Sequence, residues 1–190
     1  MGDQTTGLLS PFLREKRIRM AVPFLDGYVL DYGCGTGALA KHVSSSNYLG
    51  IDIDEESIKA AKENFPEHSF ILIDKGDLKK IKKFREKFDT IVALAVIEHV
   101  KDPALFLSEL SFYLDKSGKI VLTTPHPIGR IVYEVGAFGG VFSRHAADDH
   151  QKMLGKKDLL KSVRNSKLSM MLYKRFLFFL NQLAIIEKQK

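Results

Sequence analysis

Three observations predict an α/β fold for this 190-residue chain. Short apolar runs alternate with amphipathic segments through most of its length, the first run empties into a glycine-rich turn, and the chain closes on two adjacent apolar runs. Strands alternating with helices build a parallel sheet covered by helices on both faces. The closing pair reads as a hairpin that contributes one antiparallel strand near the C-terminus. The expectation is a doubly wound seven-stranded sheet, mostly parallel, in a single domain over residues 1–190.

Taken in order, residues 8–22 read as an N-terminal helix, and strands are expected at 28–32, 47–53, 69–74, 89–95 and 118–124. The helices between and after them are expected at 36–45, 54–64, 102–115 and 157–163. Two starts are well signalled: Asp54 stands ahead of Glu55 and Glu56, and Asp102-Pro103 supplies an N-cap followed by proline at the first helical position. The hairpin is read as MMLYKRFLFF, a turn at Asn181-Gln182, then LAIIEK. Residues 126–155 are too long for an ordinary connection. They carry IGRIVYEVGAFGGVF, three histidines (His126, His145, His150) and the pair Asp148 and Asp149. At the carboxyl end of a sheet strand such an insertion reads as a substrate lid, the alternative being a surface excursion.

Composition is that of a soluble globular protein, with 45% hydrophobic and 27% charged residues. The one cysteine, Cys34, has no internal disulfide partner, which fits a reducing compartment. Residues 1–20 contain no apolar signal core, and no run approaches the ~18 apolar residues of a membrane span. A cytoplasmic location is expected. The net charge is +6 and the pI about 9.3, supplied largely by clusters at Lys75–Lys87 and Lys156–Arg175. Nucleic acid is one reading of these clusters. Solvated helix faces are the favoured one, because neither cluster interleaves aromatics as a base-stacking platform does.

Residues 28–39, YVLDYGCGTGAL, carry the most chemistry. A strand ends in Asp31, and Gly33, Gly35 and Gly37 follow at alternate positions before a helix-like stretch. Strand, glycine turn and helix N-terminus together hold a nucleotide-like ligand against bare backbone. Glycine suits the turn because positive φ and close ligand approach both exclude a Cβ. The glycines alone also satisfy the dinucleotide fingerprint through Gly33, Gly35 and Ala38, which leaves a nicotinamide-dependent oxidoreductase open. The acids tip the balance. Asp31 places a carboxylate where a cationic or amine-bearing ligand is received, which points to S-adenosylmethionine (SAM) before a pyrophosphate. Asp52 ends the second strand, where a carboxylate accepts hydrogen bonds from both ribose hydroxyls. Gly76-Asp77, past the third strand, sets another acid near an adenine amino group, with Leu78 beside it. The fourth strand, in FDTIVALAVIEHV, exits at Glu98-His99. A dehydrogenase would also call for a separate substrate domain, and none is expected within these 190 residues.

These stretches, with YLGIDIDEESIKAAKENFP, FDTIVALAVIEHVKDPALFLSEL and GKIVLTTP, resemble class I SAM-dependent methyltransferases over residues 28–125. Within that class the chain resembles the small single-domain "type 11" branch related to ubiquinone-biosynthesis O-methyltransferases. The resemblance implies a Rossmann-like sheet with SAM as cofactor. It gives Asp31, Gly33, Cys34, Gly35 and Gly37 to the methionine portion, Asp52 to the ribose and Ile53 to the adenine ring. Asp77 and Leu78 then face the adenine edge, and Leu94 and Ala95 line the floor beneath the sulfonium. For Asp52 a helix N-cap is a competing role, not an exclusive one.

His99 and His150 are the candidate general bases, needed only if the acceptor must lose a proton. His99 has the alternative of a backbone hydrogen bond at the strand end. Metal is not expected: the ubiquinone branch places a ligating glutamate three residues before its Glu-His pair, and Ala95 stands there. The expected reaction is methyl transfer to oxygen, nitrogen or carbon of a small, partly apolar acceptor under the 126–155 segment. The alternatives are methylation of RNA or protein, and a SAM-binding relative without catalysis. Nothing in the sequence sets the oligomeric state.

Overall fold

A computed structural model describes residues 10–74, 78–84, 86–128 and 153–189. Its strands are β1 (Val29–Tyr32), β2 (Tyr48–Asp52), β3 (Ser69–Leu72), β4 (Phe88–Leu94), β5 (Leu114–Pro125), β6 (Leu168–Phe176) and β7 (Asn181–Lys188). They form one seven-stranded sheet in the order β3-β2-β1-β4-β5-β7-β6. Pairing is parallel from β3 through β5, and β7 runs antiparallel to both of its neighbours. The predicted α/β sheet with one antiparallel strand is the observed one.

Four helices among the described residues cover it: α1 (Ser10–Ala21), α2 (Glu55–Asn64), α3 (Pro103–Ser111) and α4 (Lys156–Asn165). None is long and apolar enough to cross a membrane. Ile18 and Ala21 of α1 and Ile58 and Ala61 of α2 pack on one face of the sheet with Val29, Tyr48 and Val92. Phe106, Leu107 and Leu110 of α3 and Leu159 and Val163 of α4 pack on the other, with Leu30, Ile51 and Ile91. Each of the Val, Leu, Ile and Phe side chains among them contributes about 1.5–3 kcal/mol on removal from water, and this two-sided burial holds the sheet. The caps read from sequence are in place: Asp54 accepts the Ser57 N–H at 3.0 Å, and Asp102 accepts those of Ala104 and Leu105 at 2.9 and 3.1 Å. Strand order reverses between β1 and β4, where a doubly wound sheet opens a crevice at its carboxyl edge.

Three local expectations differ from what the chain does. Residues 36–45 form no α-helix. Gly35 and Gly37 have φ of +52° and +81°, and Ser44 is extended, which leaves 38–43 to close only three-residue turns ending in a 3-10 turn at Ala40–His42. The helix expected over 102–115 stops at Ser111, because Leu114 already pairs with Phe88 as β5 begins. There β5 bulges, with Ser117 donating to Asp115 Oδ1 at 3.1 Å. Gly118 fits the bulge because a Cβ would lie 2.8 Å from the Phe88 carbonyl oxygen.

The final hairpin turns at Leu177–Leu180 rather than at Asn181-Gln182, with Leu177, Phe178 and Phe179 all at positive φ. Asn181 and Gln182 are buried in β7. Burial is tolerated because each is satisfied. Asn181 Oδ1 accepts Arg17 Nε–H at 2.9 Å. Gln182 Oε1 accepts the Tyr173 hydroxyl at 2.9 Å, while its Nε2 donates to the carbonyls of Pro125 and Leu154. Most of the expected lid, 129–152, lies outside the described residues, and His145, Asp148, Asp149 and His150 lie outside with it.

Candidate functional site

The site is assembled at the carboxyl edge of β1, β2 and β4. Leaving β1, the backbone N–H groups of Gly33 and Cys34 both donate to the Ile51 carbonyl, at 2.8 and 3.1 Å, which pulls the glycine loop across the end of β2. The three glycines answer three different demands. A Cβ at Gly33 would press on Val96 Cγ2 at 2.7 Å, and one at Gly37 on the Phe70 and Phe65 rings at 3.0 and 3.1 Å. At Gly35, with φ +52°, a Cβ would find nothing within 4 Å. Gly33 and Gly37 are therefore packing positions, and Gly35 is where the loop borders open space.

Asp52, half-buried at the end of β2, ties this loop to the start of α2. Its Oδ2 accepts the Gly35 N–H at 2.8 Å. Its Oδ1 accepts the N–H groups of Ile53 and Asp54 at 2.7 and 3.1 Å. Helix capping belongs to Asp54, so the competing role for Asp52 is filled by its neighbour. A carboxylate has about four acceptor positions, and three donors leave one for a ligand hydroxyl. Ile53 is 54% exposed at the rim of this space, an apolar side chain left uncovered.

Asp31 is 3% exposed, on the face of β1 that meets Tyr48. The Tyr48 hydroxyl donates to its Oδ2 at 2.7 Å. Burial raises the Asp31 carboxyl from 3.8 to about 7, against the lowering effect of the Tyr48 hydrogen bond and with a further rise from nearby Asp52. Cys34 is also buried, and burial pushes its thiol up, with Asp31 and Asp52 adding to the rise. A reactive thiolate is not what this cysteine offers.

At the end of β4, Leu94 and Ala95 are half-buried, and Ala95 adopts φ 59° with its N–H donating to the Thr123 carbonyl at 2.8 Å. That left-handed step swings the chain off β4 into the 3-10 turn Ile97–His99. His99 is exposed there, and its backbone N–H donates to the Val96 carbonyl at 2.9 Å. Glu98 is the buried member of the pair, 4% exposed, with Oε2 accepting the Thr124 hydroxyl at 2.9 Å. Burial raises its carboxyl, opposed by its hydrogen bonds and by the charge of Arg17. His126, just past β5, is buried. Its Nδ1 accepts the Ile128 N–H at 3.2 Å, and burial lowers its pKa.

The structure thus brings Asp31, Gly33, Cys34, Gly35, Gly37, Asp52, Ile53, Leu94, Ala95 and His99 to the carboxyl edge of adjacent strands. Leu78 is buried in the core cluster that packs α3, its carbonyl accepting the Tyr113 hydroxyl at 3.1 Å. Asp77 and His150 lie outside the described residues. Tyr48 escaped sequence reasoning, although a signal existed. Asp31 pairs with Gly50 in register, so the residue two before Gly50 stands diagonally beside Asp31 on the same face. A cavity of about 520 Å³ bounded by Tyr28, Lys62, His68, Lys83 and Phe84 lies instead at the amino ends of β1–β3, away from the glycine loop.

Comparison with known proteins bears on the fold and the family. A family model described as a methyltransferase domain matches residues 30–122. A ubiquinone biosynthesis O-methyltransferase of Coxiella burnetii is 30% identical over 122 residues, covering 62% of this chain and 51% of that protein. One from Pelagibacter ubique is 31% identical over 115 residues, covering 59% and 48%. The chain spans about half the length of the curated relatives it matches. Among solved structures, magnesium protoporphyrin IX methyltransferase from Synechocystis PCC 6803, with SAH bound, superposes with a TM-score of 0.74. It is 19% identical and covers 99% of this chain and 90% of its own.

Proposed function

We propose that the chain is a class I SAM-dependent methyltransferase, a reading supported by the matched methyltransferase domain, and that it transfers the methyl group of SAM to an oxygen, nitrogen or carbon of a small, partly apolar acceptor. The observation that carries this reading is the place of Gly35. A Cβ there would meet nothing within 4 Å while the Gly35 N–H is held by the ribose-side acid Asp52, so uncovered backbone lies directly beside a carboxylate. The residues present fit the cofactor. Asp52 has acceptor capacity left for one ribose hydroxyl, and exposed Ile53 offers an apolar face for the adenine. Asp77 and Leu78 serve the adenine edge. Asp31 receives the methionine ammonium, beside the loop Gly33, Cys34, Gly35 and Gly37. Leu94 and Ala95 form the floor.

When bound, SAM supplies a methyl group already activated by its sulfonium. The chain's own work is then positioning, exclusion of water and, for a protic acceptor, proton removal. His99 is suited to the last task by its exposure at the exit of β4, and His150 remains its rival. The 126–155 segment, with Ile131, Val132, Tyr133, Val135 and Phe138, supports a partly apolar acceptor under a lid. The cytoplasm is the proposed compartment, as suits an unpaired cysteine. The test is a panel of phenols, catechols and amines with SAM, read as SAH formed. Turnover that falls at least tenfold in His99→Gln with KM for SAM unchanged supports the base assignment. Turnover of no acceptor, in a protein that binds SAM, overturns catalysis and leaves the silent relative.

RNA or protein as acceptor is the second reading, favoured by the lysines of α4 and the net charge of +6. Purified protein with a raised 260/280 absorbance ratio that nuclease restores would favour RNA over a small molecule.

A further inference from the structure

Asp31 is a buried carboxyl with an incomplete set of neighbours. In the sheet register it stands between Gly50 of β2 and Val92 of β4, neither of which carries a charge. The titratable groups facing it are Tyr48 and Asp52 from β2 and Cys34 from the glycine loop. The helix packed on this face, α1, contributes Ile18 and Ala21 to the shared core. Around Asp31 there is thus one hydroxyl donor, one thiol and a second acid, and no cation acts on it among the described residues. An ionised carboxylate held this way lacks what would stabilise it, since buried charges are paired or neutralised. A positive charge brought to the glycine loop, whose Cys34 already lies within electrostatic reach of Asp31, would complete the set.

We propose that Tyr48 is the positioning residue for this acid, and that binding of a cationic cofactor at the glycine loop drives one proton off the Asp31 carboxyl into solvent. This inference rests on the SAM-binding reading above and deepens it. The Asp31 O–H bond breaks, the proton passes to buffer, and the carboxylate left behind faces the cofactor's ammonium. The Tyr48 O–H stays intact and goes on donating to Oδ2. Its ring is fixed edge-on against His68 and Phe70, with centroids 5.4 and 5.6 Å away, so the hydroxyl has little freedom to follow another partner. Cofactor affinity is then tied to pH below neutrality. With the free carboxyl at about 7, the apparent dissociation constant at pH 6 is roughly five times that at pH 7 by proton linkage. Release is about 0.9 proton at pH 6 and about 0.5 at pH 7. The ligand's own amino group stays protonated across this window, below about 7.7.

The experiment is calorimetric titration of the intact wild-type chain with SAM at pH 6.0 and 7.0, each in two buffers of different ionisation enthalpy. Supporting results are proton release of these sizes, and in Tyr48→Phe an affinity profile displaced to higher pH with binding retained at pH 7.5. Loss of the pH dependence in Asp31→Asn supports it again. A wild-type dissociation constant that does not move between pH 6 and 7, with no buffer-dependent heat, overturns the inference while leaving SAM binding intact. Absence of any SAM binding at pH 7.5 overturns the cofactor reading itself. The wild-type measurement needs no variant to fold, so a failed Tyr48→Phe preparation does not shield the inference.

Discussion

Replacing Gly35 with alanine adds one methyl group at a point where no heavy atom lies within 4 Å. The fold should register only the cost of holding a non-glycine residue at φ +52°, about 1–2 kcal/mol. In a domain of this size that lowers Tm by about 2–8 °C. The same change at Gly33 carries the strain of φ +75° and a contact of 2.7 Å with Val96 Cγ2, so Gly33→Ala should destabilise more. Binding should rank the other way. The alanine methyl at 35 projects into the space assigned to the cofactor, and SAM affinity should fall at least about tenfold, or 1.4 kcal/mol. Thermal melts and calorimetric titration of both variants, under one set of conditions, read the two effects separately. A Gly35→Ala protein that binds SAM as tightly as wild type would refute the assignment of the open side of the loop to the ligand.

Two further predictions concern stability. A carboxyl raised from 3.8 to about 7 on folding stabilises the fold fully below pH 3.8 relative to higher pH, and that contribution is lost as pH climbs to 7, by about 4 kcal/mol at most. Ligand-free Asp31→Asn should therefore melt above wild type at pH 8, by several degrees, with the gap less than half as large by pH 5 and closed only below pH 3.8; equal melting temperatures at pH 8 would contradict this. Phe178, 91% exposed at φ 52° in the β6–β7 turn, contributes strain and little packing. Phe178→Gly should be neutral or raise stability by up to about 1 kcal/mol in thermal melts, and a loss above 1 kcal/mol would show that the ring is packed after all.

How far the sequence reaches can be judged from individual residues. The alternation of strands and helices and the helix caps were legible because apolar periodicity, Asp54 and Asp102-Pro103 act locally. The acids Asp31 and Asp52 were legible because a carboxylate at a strand's carboxyl end has few structural reasons to be there. Tyr48 was missed because its importance is a cross-strand contact with Asp31, which depends on register between β1 and β2. Asn181 and Gln182 were read as a turn from polarity alone. Their burial depends on Arg17, Tyr173, Pro125 and Leu154, partners distant in sequence. The helix after the glycines failed for a backbone reason: Gly37 at φ +81° consumes the residues that would have started it. Glu98 and His99 divide in a way no pattern announces, the glutamate turning inward to Thr124 and the histidine outward.

The most direct measurement is calorimetric titration of the purified chain with SAM, beside NADH as control and with Asp52→Ala in parallel. Asp52→Ala must first be shown by thermal melting to fold, since it strips three N–H groups of their acceptor. Binding of SAM by wild type, its loss in the folded variant and no heat from NADH are the expected results. Failure of the intact chain to bind SAM would contradict the cofactor site, and the methyltransferase function proposed from it would fall.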